Sequence, residues 1–252
     1  MYLSCLLIDV GNDPDRPRPG RHWLHNRYQV HQRLCMAFPS ASKRSDDPEF
    51  LKPFNANDFP EAHASEPRQV HISRRPDAGF LFRVDPQPGG RVVIVVASAM
   101  NPDWDYAFHN ANYLLAACPE VKPFDPRFAK EQTLRFRLVA NPTRKIDTKS
   151  APDGRRRHGK RVPVPADRLY DWLARKAELA GFSIDRESIT VQPGYVYIKK
   201  DRDGEGQRLF AARYDGILKV SDPAKFQEAI VRGIGPGKAF GFGLLSVAPA
   251  AT

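Results

Sequence analysis

Histidine is the side chain best suited to carrying protons near neutral pH, because its ordinary pKa is about 6.5. The chain has seven histidines. One of them, His31, follows a tyrosine by three positions in Tyr28-Gln29-Val30-His31. Residues three apart share one side of a helix, so Tyr28 and His31 can address the same group. Val30 and Leu34 would then face a core, leaving His31 beside the apolar stripe rather than within it. Taken alone, the pattern also suits a surface or half-buried helix histidine with no chemistry. His22 and His25 lie nearby, but neither keeps the spacing, and His25 precedes Asn26, the expected N-cap. His63, His71, His109 and His158 stand in no comparable pattern.

Positive charge is the second feature. From Thr143 to Arg161 the chain reads TRKIDTKSAPDGRRRHGKR, with eight Lys/Arg against two Asp, so more than half of the net charge of +10 lies there. The segment has breakers and few apolar residues, which predicts a loop rather than a packed element. A concentrated cationic loop on a basic chain is the usual footprint of a polyanion partner, nucleic acid foremost. The plainer alternative is a solvated basic loop with no partner.

A glycine-rich stretch, GIGPGKAFGFG, occupies residues 233–243. A phosphate-binding GxxxxGK[ST] loop would need glycine at 232 and serine or threonine at 239, where the chain has Arg232 and Ala239. The stretch also follows a helix and precedes a strand, the reverse of that motif's setting, so a nucleotide-dependent enzyme is disfavoured. Five glycines in eleven residues could let backbone amides at Gly235 and Gly237 approach a phosphate, with Lys238 adding a point charge. They equally suit a tight helix-to-strand turn that needs positive φ.

Other classes are excluded by composition. The chain has 252 residues, 41% hydrophobic and 27% charged, which is globular rather than disordered. Its strongest apolar run, VVIVVASAM, is too short to cross a bilayer and predicts a buried strand. MYLSCLLIDV has no basic leader region and meets Asp9 early, so no secretory signal is expected. Cys5, Cys35 and Cys118 are too few and too scattered for a metal knuckle or a disulfide framework. They are expected to be reduced core thiols in a cytoplasmic protein. Neither a metal nor a cofactor is expected.

The elements that would position these residues repeat. Residues 2–10 predict an edge-near strand with Leu3, Cys5 and Leu7 on one side, and 12–20 a proline-broken loop. A helix begins at Asn26 with Val30, Leu34, Ala37 and Phe38 as its apolar stripe. Residues 40–78 form a long irregular connection. Strands at 79–84 and 91–98 flank a hairpin turn. A helix follows over 103–118, and VKPFDP is a strand or a loop. TLRFRLVA (133–140) then alternates Leu/Phe/Leu with arginine as a strand. A helix over 165–180 buries Leu169, Trp172, Leu173 and Leu179 and ends at Gly181. Strand-rich segments surround DRDGEG, Asp222-Pro223 opens a helix through Arg232, and 241–248 is a final strand. The order is βαββαβ in the second half and nearly so in the first. It predicts an α+β chain of two tandem ferredoxin-like (RRM-like) domains, 1–128 and 129–252.

A helix followed by G-x-G-x-x-x-[AF]-x-G-x-G, ahead of the last strand of such a tandem chain, resembles the signature of CRISPR repeat-cleaving endoribonucleases. GIGPGKAFGFGLLSV matches it. NRYQVHQRL, VASAMNPDW, KPFDP, TLRFRLVANPTRK and HGKRVPV fall in family order across nearly the whole chain. Together they resemble the CasE family, the pre-crRNA nucleases of the type I-E Cascade complex.

The resemblance implies metal-independent cleavage of CRISPR repeat stem-loop RNA by ribose 2′-OH attack, leaving a 5′-hydroxyl and a 2′,3′-cyclic phosphate. It also implies that the product, mature crRNA, stays bound among the other Cascade subunits, especially the crRNA-binding backbone subunit. The alternative is a repeat-RNA holder that does not cut. The family's catalytic histidine lies in a Tyr-x-x-His pattern of the first helix, which assigns the role to His31 with Tyr28. Some relatives carry a lysine five positions past that histidine, where this chain has Met36; Arg27 or Arg33 would then be the candidate cation. A-form stems are gripped through backbone and shape, so Arg135, Arg137, Arg144, Lys145, Arg155, Arg156, Arg157, Lys160 and Arg161 are the expected RNA contacts. Gly235, Gly237 and Lys238 would join them. Phe82 and Tyr195 could stack on bases, but core packing is the simpler expectation.

Overall fold

Tyr2–Asp9 forms β1, and it lies inside its sheet rather than near an edge. In the computed structural model, which describes residues 1–11, 18–38, 79–87, 90–146, 161–200 and 204–250, β1 pairs antiparallel with β3 (Arg91–Ser98) along its whole length. Its first four residues also pair with β4 (Glu120–Pro123). With β2 (Phe80–Pro86) on the far side of β3, the strand order is β2-β3-β1-β4. The buried face also differs from expectation: Leu6 and Ile8 are fully buried, whereas Cys5 is exposed. Residues 3–8 are apolar or small on both sides, so alternation could not choose the face, and one step of register inverts it.

Two helices, not one, follow β1. Pro19 starts α1 (Pro19–His25), where a missing N–H costs nothing, within the stretch expected to be a loop. Asn26 then ends α1 and caps α2 (Arg27–Cys35). Leu24, Val30 and Leu34 pack with Phe82, Ile94, Val96, Trp104 and Phe108 in one core. Fully burying a Val or Leu side chain contributes about 1.5–3 kcal/mol. The helix expected over 103–118 is shorter. Asp103 caps α3 (Trp104–Phe108), and a 3₁₀ turn over Asn112–Leu114 replaces the rest. Asn110 and Asn112 are poor helix-interior residues because their side chains compete for backbone groups.

The second sheet repeats the order of the first. β5 (Thr133–Ala140) sits between β11 (Leu245–Pro249) and β10 (Gln207–Val220), and β8 (Phe182–Ile184) pairs with the far end of β10. The helices are α4 (Leu169–Leu179), after a 3₁₀ turn at Ala166–Arg168, and α5 (Pro223–Arg232), capped by Asp222. The chain is a tandem ferredoxin-like protein. β9 (Thr190–Ile198) is an addition that pairs with β10. Leu169, Trp172 and Leu173 are buried as expected, but Leu179 is 74% exposed at the last turn of α4.

The ends of the basic segment are not loop: β6 (Thr143–Lys145) pairs with β7 (Arg161–Pro163). The cysteines also depart from expectation, since Cys5 and Cys118 are exposed and Cys35 is half-buried. Among the described residues no helix is long and apolar enough to cross a membrane. The chain forms two compact units, one of Met1–Asp125, Tyr197–Gln207 and Ala239–Gly241, the other of Pro126–Val196, Arg208–Lys238 and Phe242–Thr252.

Candidate active site

The opening turn of α2 is fixed by Asn26, whose Oδ1 accepts from the Tyr28 N–H at 3.1 Å. Tyr28 and His31 lie one turn apart on this helix, and both are half-buried. Val30 and Leu34 are wholly buried, so the core anchors the helix while His31 stays at its margin. The His31 ring stacks on Phe80 (centroids 5.5 Å apart, 29° between planes) and lies 6.3 Å from Phe82 at 17°. Cys35, one turn later, places Sγ 3.6 Å from Nε2 and 4.0 Å from Nδ1. Neighbours on two sides thus restrict the imidazole without sealing it in, an arrangement suited to a proton carrier.

Gly241 contributes from the glycine-rich stretch. Its φ is +84°, and a Cβ there would lie 3.1 Å from Cε2 of Phe82. Glycine is needed for both reasons. A glycine chosen for the signature's last turn therefore supports the aromatic ring beside His31. Phe82 is fully buried, in keeping with core packing, whereas Tyr195 is 69% exposed and touches Phe210 edge-on.

The cations of α2 are directed inward. Arg27 donates to the Leu24 carbonyl at 3.2 Å, and burial pushes its guanidinium pKa down to about 10 against the opposing pull of Asp85. It stays protonated at neutral pH. Arg33 donates to the Ala107 carbonyl at 3.0 Å and to Asn110 Oδ1 at 2.8 Å, and burial lowers its pKa. It clasps α2 to the α3 region. Met36 packs against the core.

The remaining candidates belong to the second unit. β5 alternates, so Leu134, Phe136 and Leu138 are buried while Arg135 and Arg137 take the opposite face. Arg135 donates to the Pro249 carbonyl at 3.2 Å. Arg137 and Arg213 both bond Asp215 at 2.5 Å. Partial burial would raise the Asp215 pKa, but these two guanidinium hydrogen bonds hold it below the usual carboxylate value. Arg144, Lys145 and Arg161 are exposed on the β6–β7 ladder, and Arg161 reaches Thr143 Oγ1 at 3.3 Å. Arg144 also lines a groove of about 570 Å³ with Arg168, Arg175 and Trp172. Arg155, Arg156, Arg157 and Lys160 lie outside the described residues.

Gly235 and Gly237 have φ of +83° and +80°, and Cβ atoms there would meet Trp172 at 3.2 Å and Phe242 at 2.8 Å. These are the requirements of a tight turn. Burial lowers the Lys238 pKa, with Arg232 adding to the effect. The contacts of Cys35 with His31 and of the Lys199 backbone with Asn26 have no place in the sequence expectations. The i+4 spacing of His31 and Cys35 was a visible signal; nothing local signals Lys199.

Over residues 1–249 the sequence matches the family described as CRISPR associated protein. It is 34% identical to the CRISPR-associated endoribonuclease Cse3 of Thermus thermophilus over 193 residues, covering 71% of this chain and 85% of that protein. It is 26% identical to the CRISPR system Cascade subunit CasE of Escherichia coli over 257 aligned residues, covering 99% of this chain and 100% of that one. A solved structure of CRISPR endoribonuclease Cse3 bound to 19 nt RNA aligns with TM-score 0.68 at 28% identity, covering 99% of this chain and 100% of that chain.

Proposed function

Because the chain belongs to the CRISPR-associated protein family, we propose that it is an endoribonuclease that cuts CRISPR repeat stem-loop RNA and keeps the mature crRNA within a Cascade assembly. The observation that carries this reading is the half-buried imidazole of His31, held against Phe80 and Phe82 one turn from Tyr28.

The reaction is an in-line attack of the ribose 2′-oxygen on the adjacent phosphorus. The P–O5′ bond breaks, giving a 2′,3′-cyclic phosphate and a 5′-hydroxyl. One group takes the 2′-OH proton and another gives a proton to the leaving 5′-oxygen; His31 serves in one of these transfers, and Tyr28 shares its side of the helix. Charge building on the phosphate oxygens calls for positive side chains at the phosphate, and with them the reaction requires no metal step. Arg144, Lys145 and Arg161 on the ladder, with Arg135, supply sequence-independent grip on an A-form backbone. Arg155, Arg156, Arg157 and Lys160 extend this basic set along the sequence.

Incubation with the host's repeat RNA, with and without EDTA, tests the reading. Cleavage should survive chelation and yield the cyclic end. His31→Ala should bind the RNA but cut at least 100-fold more slowly, the scale of general acid–base catalysis. Wild-type binding without cutting would instead make the protein a repeat-RNA holder.

A further inference from the structure

Asn26 is 8% exposed, and both ends of its amide are engaged. Oδ1 accepts from the Tyr28 N–H at 3.1 Å and from the Lys199 N–H at 3.0 Å, while Nδ2 donates to the Lys199 carbonyl at 2.8 Å. Capping a helix needs only one acceptor. Here the same side chain also takes both backbone polar groups of a residue 173 positions away. One residue earlier, the His25 ring stacks on Tyr197, with centroids 4.7 Å apart and 25° between planes. The stretch from Tyr197 to Gln207 belongs to the same unit as α2. Two adjacent residues therefore dock this stretch by its backbone and by an aromatic face at the first turn of the helix that carries Tyr28 and His31.

Cation supply gives this docking a chemical meaning. Metal-free transfer at a phosphodiester needs positive charge at the phosphate. On α2 itself, Arg27 points to the Leu24 carbonyl and Arg33 to Ala107 and Asn110. Lys199 and Lys200 form no ion pair among the described residues, and Lys199 is fixed at its backbone by the clamp. Asn26 and His31 are five positions apart, roughly 7.5 Å along the helix axis. A lysine side chain and a phosphodiester group together span that distance.

Resting on the nuclease reading above, we infer that Asn26 is a positioning residue for cleavage, and that the backbone it clamps places Lys199 to contact the RNA phosphate at the cut.

The test is single-turnover cleavage of repeat RNA, with RNA affinity and Tm measured on the same full-length proteins. Asn26→Asp keeps an acceptor for Tyr28 and for the Lys199 N–H, and aspartate caps as well as asparagine. It loses the donor to the Lys199 carbonyl and sets two acceptors against each other. Its cleavage rate at saturating RNA should fall at least tenfold with affinity nearly unchanged, a loss larger than its fall in Tm accounts for. Lys199→Ala should fall similarly, Lys199→Arg should recover most of the rate, and the double variant should be no slower than Lys199→Ala alone. A wild-type rate in Asn26→Asp, additive losses in the double variant, or a loss that follows Tm would overturn the clamp's role. His31→Ala in the same assay separates the two levels. If wild type itself does not cut, the nuclease reading falls and the clamp's role with it; if His31→Ala cuts like wild type, the role of His31 falls; if His31→Ala is inactive while Asn26→Asp is normal, only the clamp falls.

Discussion

Gly241 lies against the ring of Phe82, with the site of its absent Cβ 3.1 Å from Cε2, and that ring is nearly parallel to the imidazole of His31 at 17°. A side chain at Gly241 would have to push Phe82, and through it the surface on which His31 rests. The φ of +84° adds backbone strain, about 1–2 kcal/mol for a residue with Cβ. Gly241→Ala should therefore lower Tm by several degrees and slow cleavage more than the stability loss explains. Gly194→Ala is the control, because nothing lies within 4 Å of a Cβ there. Equal cleavage rates in the two variants would contradict the coupling.

Asp215 offers a test on the second sheet. Arg213 and Arg137 hold its pKa below the ordinary carboxylate value, against the effect of partial burial. The folded state thus binds fewer protons at this site than the unfolded chain, and its contribution is complete above the unfolded pKa of about 4. It is lost as pH falls through the lower folded value. Asp215→Asn should cost about 1 kcal/mol at pH 7, a figure reduced for partial exposure. The Tm gap between variant and wild type should close as pH falls below 4. A gap that widens on acidification would show that the carboxylate is not the stabilising form.

Sequence legibility tracked how local each signal was. β5 was readable because Leu134, Phe136 and Leu138 alternate with Arg135 and Arg137, and α5 because Asp222-Pro223 is a cap in two residues. β1 hid its buried face because both faces are apolar enough. α1 was hidden by a proline that a helix accepts at its first position. The tyrosine–histidine pair was legible from spacing, and the structure adds Phe80 and Phe82 as the surface beside it. The bond from Asn26 to Lys199 had no sequence signature, because nothing in a capping residue's neighbourhood specifies a partner brought near by tertiary folding.

Cys35 makes the site sensitive to thiol chemistry. Its Sγ is 3.6 Å from His31 Nε2, so a bulky adduct on sulfur must displace the imidazole. Treatment with N-ethylmaleimide should abolish cleavage by wild type. Cys35→Ser should keep its own untreated rate after the same exposure, although Cys5 and Cys118 are exposed and still react. Inactivation of Cys35→Ser by the reagent would move the effect to another thiol.

Arg33 and the ladder cations make opposite predictions in one salt titration. If Arg144, Lys145 and Arg161 neutralise phosphates, replacing all three with alanine should make the plot of log affinity against log salt shallower by about 2–3, near 0.7–0.9 per lost contact. Arg33 bonds Ala107 and Asn110 instead, so its removal deletes a clasp between α2 and the α3 region. Arg33→Ala should leave the slope unchanged and cost about 1–3 kcal/mol, because hydrogen bonds from a charged donor are lost and their acceptors are left unpaired. Chemical denaturation measures that cost directly. A slope shallower by about 1 in Arg33→Ala, with stability intact, would return this arginine to the RNA-binding surface.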